Sequence, residues 1–204
     1  MDANEKVVAE LVQTRISVSP DQYKDVYNKQ MHPILMAQPG MIATMAGVIT
    51  SENDQDSTKQ ADGATVLSLV IWKNVDSHIS FVTGPAAGPF FQASMPLMRE
   101  PPSVEHYEVD GLQSSAFHSH YAQVLKASSA NSKEILASVF QRHVTAEGEN
   151  KVLFSDCTED MSKKVLVLFS DSDQFEATGD VLDKGTGIEK YGIKWYSRGT
   201  TSSL

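Results

Sequence analysis

The feature that most constrains this chain is a succession of elements that occurs twice. Residues 6–18 form an apolar, strand-like run containing Val7, Val8, Leu11, Val12 and Ile16. Ser19-Pro20-Asp21-Gln22 then reads as a helix start: a capping serine, proline at the first helical position and glutamine at the third. Tyr23, Val26, Tyr27, Met31, Ile34 and Leu35 follow at helical spacing. Pro33 is expected to kink this helix and Pro39-Gly40 to end it. Strands are predicted over 41–51 and 64–72, a short helix over 74–81 broken at Gly84-Pro85, a second helical piece over 89–98, and a strand over 104–109.

The second half repeats that order. A strand is predicted over 116–126, and Asn131-Ser132-Lys133-Glu134 resembles a capping box. Ile135, Leu136, Val139, Phe140 and Val144 form the helical stripe behind it. Hairpin strands over 151–155 and 164–169, a helix over 172–184 ended by Gly185, and a strand over 191–197 complete the set. The chain therefore divides into residues 1–110 and a divergent second unit over 111–204, with 110–115 as the linker. Each unit is β-α-β-β-α-β, the ferredoxin-like arrangement of an antiparallel sheet with both helices on one face. The bare sheet face has to be buried. The expected fold class is α+β: two tandem ferredoxin-like units packed sheet to sheet as an α/β-barrel within one chain. Two separate beads would leave two apolar faces in water.

Composition narrows the function classes. The net charge of −9 and the scattered placement of 17 basic residues argue against nucleic acid. The acidic stretches 52–56 and 156–160 read as solvated loops. Apolar runs such as 66–72 are strand-sized, against the roughly 20 residues a bilayer span needs. With no signal-peptide pattern, a cytoplasmic protein without a membrane partner is expected. Cys157 is the sole cysteine, which excludes an intramolecular disulfide and reads as a plain thiol in a reducing compartment. No Walker, GxGxxG, HExxH, GxSxG or CxxC pattern occurs.

The Gln38-Pro39-Gly40 turn, the strand ending in Ile71-Trp72, the helix opening Lys73-Asn74-Val75-Asp76-Ser77-His78 and the closing strand Glu105-His106-Tyr107-Glu108 resemble the antibiotic biosynthesis monooxygenase family, over about residues 6–109. That resemblance implies the dimeric α/β-barrel fold, and enzymes that mostly act without metal or flavin. Some such enzymes oxygenate electron-rich aromatic polyketides; others cyclise, decarboxylate, isomerise or degrade haem, and several members have no established activity. The second half shares the element order only, and the counterpart of Trp72 falls near Ser170.

In this architecture a pocket forms between sheet and helices, with strand residues as its wall. Trp72 is a candidate to stack on an aromatic substrate and donate its indole N–H, set against plain packing. His106 is a candidate general base and Tyr107 a candidate donor to a developing oxyanion, although strand neighbours face opposite ways and only one can line a given pocket. His118 and His120 have period-two spacing and would share a strand face. No third metal ligand accompanies them, so the expectation is paired polar groups on a sheet face, in the barrel interior or in the second pocket, where one could act as a base, with no metal. His78 at a helix start and the Phe90-Phe91 pair after small residues are candidate substrate contacts at the pocket mouth. His32 and His143 read as structural. The reading leans to a cofactor-free enzyme acting on a small apolar or aromatic, polyketide-like metabolite by oxygenation or acid–base chemistry. The alternatives are a non-catalytic binding protein, a structural role and haem processing. Further pairing into a homodimer is left open.

Overall fold

The computed structural model describes residues 6–53, 55–56, 63–110, 114–147, 151–173 and 186–201. The first half supplies β1 (Lys6–Arg15), α1 (Pro20–Val26), α2 (His32–Met36), β2 (Met41–Glu52), the short β3 (Gln55–Asp56), β4 (Thr65–Trp72), α3 (Val75–Thr83), α4 (Ala87–Ser94) and β5 (Ser103–Asp110). The second supplies β6 (Tyr121–Ala127), α5 (Ala130–Glu147), β7 (Val152–Asp156), β8 (Lys164–Ser170) and β9 (Ile188–Thr200).

The helix starts follow from local chemistry. Ser19 Oγ accepts from the Gln22 amide at 3.2 Å while Gln22 Oε1 accepts from the Ser19 amide at 3.1 Å, a complete capping box. Proline at position 33 cannot donate to residue 29. The chain relieves this with a wide turn over Tyr27–Met31, closed by the His32 amide on the Tyr27 carbonyl, and α2 restarts with Pro33 in its first turn. In α5 the cap is Ser129, two residues before the expected start. Its Oγ accepts from the Ser132 amide at 3.1 Å and Ser132 Oγ accepts from the Ser129 amide at 2.9 Å.

The strands form one antiparallel sheet in the order β5-β1-β4-β2-β9-β6-β8-β7, with β3 beside β2. Each half keeps the ferredoxin-like order, and the halves meet along two seams. The β2–β9 seam runs from Ala43–Thr200 to Glu52–Tyr191 with two bulges. At one bulge Gly47 lies so close to β9 that a Cβ would stand 2.5 Å from the Lys194 carbonyl oxygen, so only glycine fits. The β5–β7 seam is short: a single Tyr107–Cys157 bridge, continued by the Thr158 amide on the His106 carbonyl at 2.8 Å. Closure buries both inner faces. Ala9, Leu11, Met45, Leu67, Leu69, Val124, Val167 and Phe169 fill the barrel interior, and separate apolar layers lie under α1–α4 and under α5.

One predicted strand begins later than expected. Residues Ser114–His118 form a 3₁₀ turn that plugs consecutive Ala116 and Phe117 into the barrel core, which an alternating strand cannot do. Pairing on β9 starts only at Tyr121. Most of the helix expected over 172–184 lies outside the described residues.

Candidate active site

Alternation along β1 sends Val7, Ala9 and Leu11 into the barrel and Val8, Glu10, Val12 and Thr14 toward the helices. Register places Glu10 between Val70 of β4 and His106 of β5. A carboxylate on a packed sheet face is costly unless hydrogen-bonded, and Glu10 is. Its Oε2 accepts from Trp72 Nε1 at 2.8 Å, and its Oε1 lies 3.5 Å from His78 Nε2. His78 is held there by α3, whose N-cap Asn74 accepts from the Ser77 amide at 2.9 Å.

The polar chain continues outward. His78 Nδ1 and His106 Nε2 are 3.1 Å apart, and His106 Nδ1 bonds to Glu159 Oε1. Glu159 belongs to the second half, in the turn after β7, and also accepts from the His106 backbone amide at 3.1 Å and from Cys157 Sγ at 3.2 Å. Partial burial works against ionisation of Glu159, but these donors outweigh it and bring its pKa to about 2. Burial lowers the pKa of His78 more than the Glu10 carboxylate raises it. Each imidazole thus faces a carboxylate through one nitrogen, and the two remaining nitrogens stand 3.1 Å apart, the spacing of one N–H···N hydrogen bond.

Glu10 and His78 form one edge of a cavity of about 240 Å³. The rest of its wall is largely apolar, with Val70, Phe81, Phe90, Phe91 and Val104 prominent. Tyr23, Ser68 and Thr14 line its inner end, and burial pushes the Tyr23 phenol up to about 12, so its hydroxyl remains a donor. Glu10, His78 and His106 also present ligand atoms within 4.8 Å of one another, which makes them the described residues able to hold a metal ion.

The sequence-based candidates separate cleanly. His78, Phe90 and Phe91 line the cavity, and His106 is reached through His78. Trp72 does not line it: the indole is fully buried, stacked on Phe81 at 5.6 Å, with its N–H committed to Glu10. It orients the carboxylate instead of meeting a ligand. Tyr107 points the other way, into the barrel, where its hydroxyl donates to Glu105 Oε2 at 3.0 Å and burial raises its pKa. His118 sits exposed in the 3₁₀ turn and His120 in the bend after it, so the pair shares no strand face; His120 approaches Asp171 at 3.8 Å.

Two site residues escaped sequence reasoning. Glu10 had a usable signal, a lone acid within the apolar run of β1. Glu159 had none, because an acidic loop in one half reveals nothing of a contact with the other.

Neither a family model nor a curated protein matches the sequence. Solved structures do. A candidate monooxygenase of Fusobacterium nucleatum superposes with a TM-score of 0.68 at 11% identity, over 100% of this chain and 98% of that one. A candidate monooxygenase of Lactobacillus acidophilus gives 0.63 at 10% identity, over 96% of this chain and 97% of that one. An anthrone oxidase-like protein gives 0.60 at 10% identity, over 98% and 94%. At such identities the likeness is one of fold, and it spans both units: the chain has the tandem ferredoxin-like α/β-barrel fold of these monooxygenase-like proteins.

Proposed function

We propose that this protein is an enzyme that acts without a cofactor on a small, apolar, aromatic metabolite of the polyketide type, by oxygenation or by acid–base chemistry. The observation that carries the reading is the Glu10–His78–His106–Glu159 chain ending on an otherwise apolar cavity. A flat aromatic substrate fits between Phe90, Phe91 and Val104, with an acidic phenol or ring methylene against Glu10 and His78. The carboxylate–imidazole edge takes the proton, and the second imidazole and Glu159 pass it toward solvent. The resulting electron-rich anion is stabilised by the tyrosine hydroxyl at the inner end. From there it either reacts with dioxygen, a methylene and O₂ giving a carbonyl and water, or is reprotonated elsewhere in an isomerisation or cyclisation.

The test is a panel of anthrone-like and polyphenolic compounds assayed under ¹⁸O₂ by mass spectrometry. Label in the product assigns oxygenation; conversion without label assigns acid–base chemistry. Glu10→Gln and His78→Ala should each lower turnover by about 10²–10⁴-fold. Turnover unchanged in both variants excludes this site. A second reading, a non-catalytic carrier of the same ligand class, is favoured by the apolar wall; tight binding without conversion of any bound compound would select it.

A further inference from the structure

We propose that Glu10, His78 and His106 form a binding site for one divalent transition-metal ion of the zinc class. Two imidazoles and one carboxylate, with ligand atoms within 4.8 Å of one another, are a donor set that zinc and its neighbours take.

Three features separate the cluster from a chance meeting of side chains. The Nδ1 of His106 is held by Glu159, which fixes the tautomer that leaves the Nε2 lone pair free; metal-binding histidines are oriented by such carboxylates. Glu10 is steadied by the Trp72 N–H at 2.8 Å, so the third ligand is also supported from outside the cluster. Finally, His78 Nδ1 and His106 Nε2 are 3.1 Å apart. Two nitrogens each about 2.1 Å from an ion subtend about 95° at that separation, an angle that four- to six-coordinate sites accept. Glu10 offers a carboxylate oxygen within 4.8 Å of a ring nitrogen of each histidine. The adjoining cavity leaves room for a water or ligand atom at an open position. The carboxylates of Glu10 and Glu159 beside the two imidazoles are charges that a dication offsets. Such an ion takes the lone pairs that the proposed chemistry uses for proton transfer, so ion and proton relay exclude each other. Binding itself does not depend on that chemistry.

The test uses the whole chain, freed of metal and titrated with Co(II) and with Zn(II) by calorimetry and visible absorption. One equivalent of Co(II) should bind, with a d–d absorption that Zn(II) erases. Affinity should fall at least about 100-fold in His78→Ala and His106→Ala, and about 10–100-fold in Glu159→Gln. Circular dichroism checks that each variant folds. Where one does not, imidazole ¹⁵N shifts of the unaltered protein locate the ion: His78 and His106 should move on adding Zn(II) while His32, His118, His120 and His143 stay. The proposal is overturned by no binding at millimolar Co(II), by affinity retained in both histidine variants, or by binding that moves to His118 and His120. None of these readouts uses turnover, so this proposal and the enzymatic one stand or fall separately.

Discussion

Corresponding positions in the two units share a backbone and differ in every group that bears on chemistry. In the first unit Glu10 stands between Val70 of β4 and His106 of β5; in the second Gln123 stands between Leu168 of β8 and Gly192 of β9. Two residues beyond Val70 is Trp72, and two beyond Leu168 is Ser170. The carboxylate, the indole that holds it and the imidazole beside it are thus replaced by an amide, a hydroxyl and nothing. The second unit has not lost all part in the site, because it sends Glu159 across the β5–β7 seam to His106. The second unit has a cavity of its own, of about 400 Å³ and lined by Gln123 and Gly192, but the carboxylate–imidazole cluster stands only in the first. A barrel assembled from two identical chains would have to repeat the cluster and its support in each copy.

The sharpest way to break this comparison is to give the first unit the second's residue. His106→Gly should lower turnover of the compound found in the ¹⁸O₂ panel by about 10²–10⁴-fold, whereas Gln123→Ala should leave it within about twofold, in steady-state assays of both. Equal losses would mean that both pockets work. Next comes Trp72→Ser. The indole is fully buried and its removal leaves both a void and an unpaired Glu10 oxygen, so urea unfolding should show a loss of about 3–5 kcal/mol. Ser170→Ala should stay within about 0.5 kcal/mol. A small loss at Trp72 would show that Glu10 does not need its anchor.

The fold was legible because periodicity is a local property written many times. Val7, Ala9 and Leu11 against Val8, Val12 and Thr14 announce two-faced burial, and repetition of the element order announces closure. The site was legible only where a residue's neighbours in sequence are also its neighbours in space: Asn74 fixes the helix that carries His78, and Phe90-Phe91 lies on the next helix. The placement of His118 and His120 was misread because their spacing mimics a strand, while burial of adjacent Ala116 and Phe117 makes a turn there. Tyr107 lost its candidate role as a consequence of strand parity once His106 turned toward His78 on the helix-covered face. Glu159 stands 53 positions beyond His106 in the sequence, and no local pattern carries that information.

The two seams differ as the two pockets do. The β2–β9 seam is held by a long run of backbone pairs, the β5–β7 seam by one bridge and by ionised side chains that reach across it. Lys163 and Lys126 donate to Glu105 at 3.2 and 2.6 Å. Burial alone would raise the Glu105 pKa, but the two lysines and Tyr107 overcome it and hold it below the ordinary 4.5. For carboxylates depressed in the folded state, stability is present above the unfolded pKa and is lost as pH falls through the folded one. The window therefore opens below about 4.5 and, for Glu159, reaches down to about 2. Amide exchange in β5 and β7 should accelerate across that window before exchange in β2 and β9. Glu105→Gln should cost about 1.5–3 kcal/mol at neutral pH and flatten part of the acid dependence. Simultaneous loosening of both seams would show that the short one is not the weaker.

The smallest effect tests what the units still have in common. Both open a helix with a serine whose hydroxyl accepts from the third amide on, Ser19 for Gln22 and Ser129 for Ser132. Removing such a hydroxyl costs about 1 kcal/mol, or about 2–4 °C in melting temperature for a chain of this size. Ser19→Ala and Ser129→Ala should therefore lower the melt by similar amounts, because capping depends on the local turn and not on what the helix covers. Both cap hydroxyls also meet their partner's side chain, but the Ser129 turn has one bond more, Ser132 Oγ donating to the Ser129 carbonyl at 3.0 Å. If Ser129→Ala costs markedly more, that extra bond is cooperative with the cap. If Ser19→Ala costs more, the excess comes from the layer under α1, where Tyr23 and Tyr27 pack on Tyr196 of the second unit. In that case the first helix is coupled to the barrel closure itself, and the two units are less interchangeable than their shared element order implies.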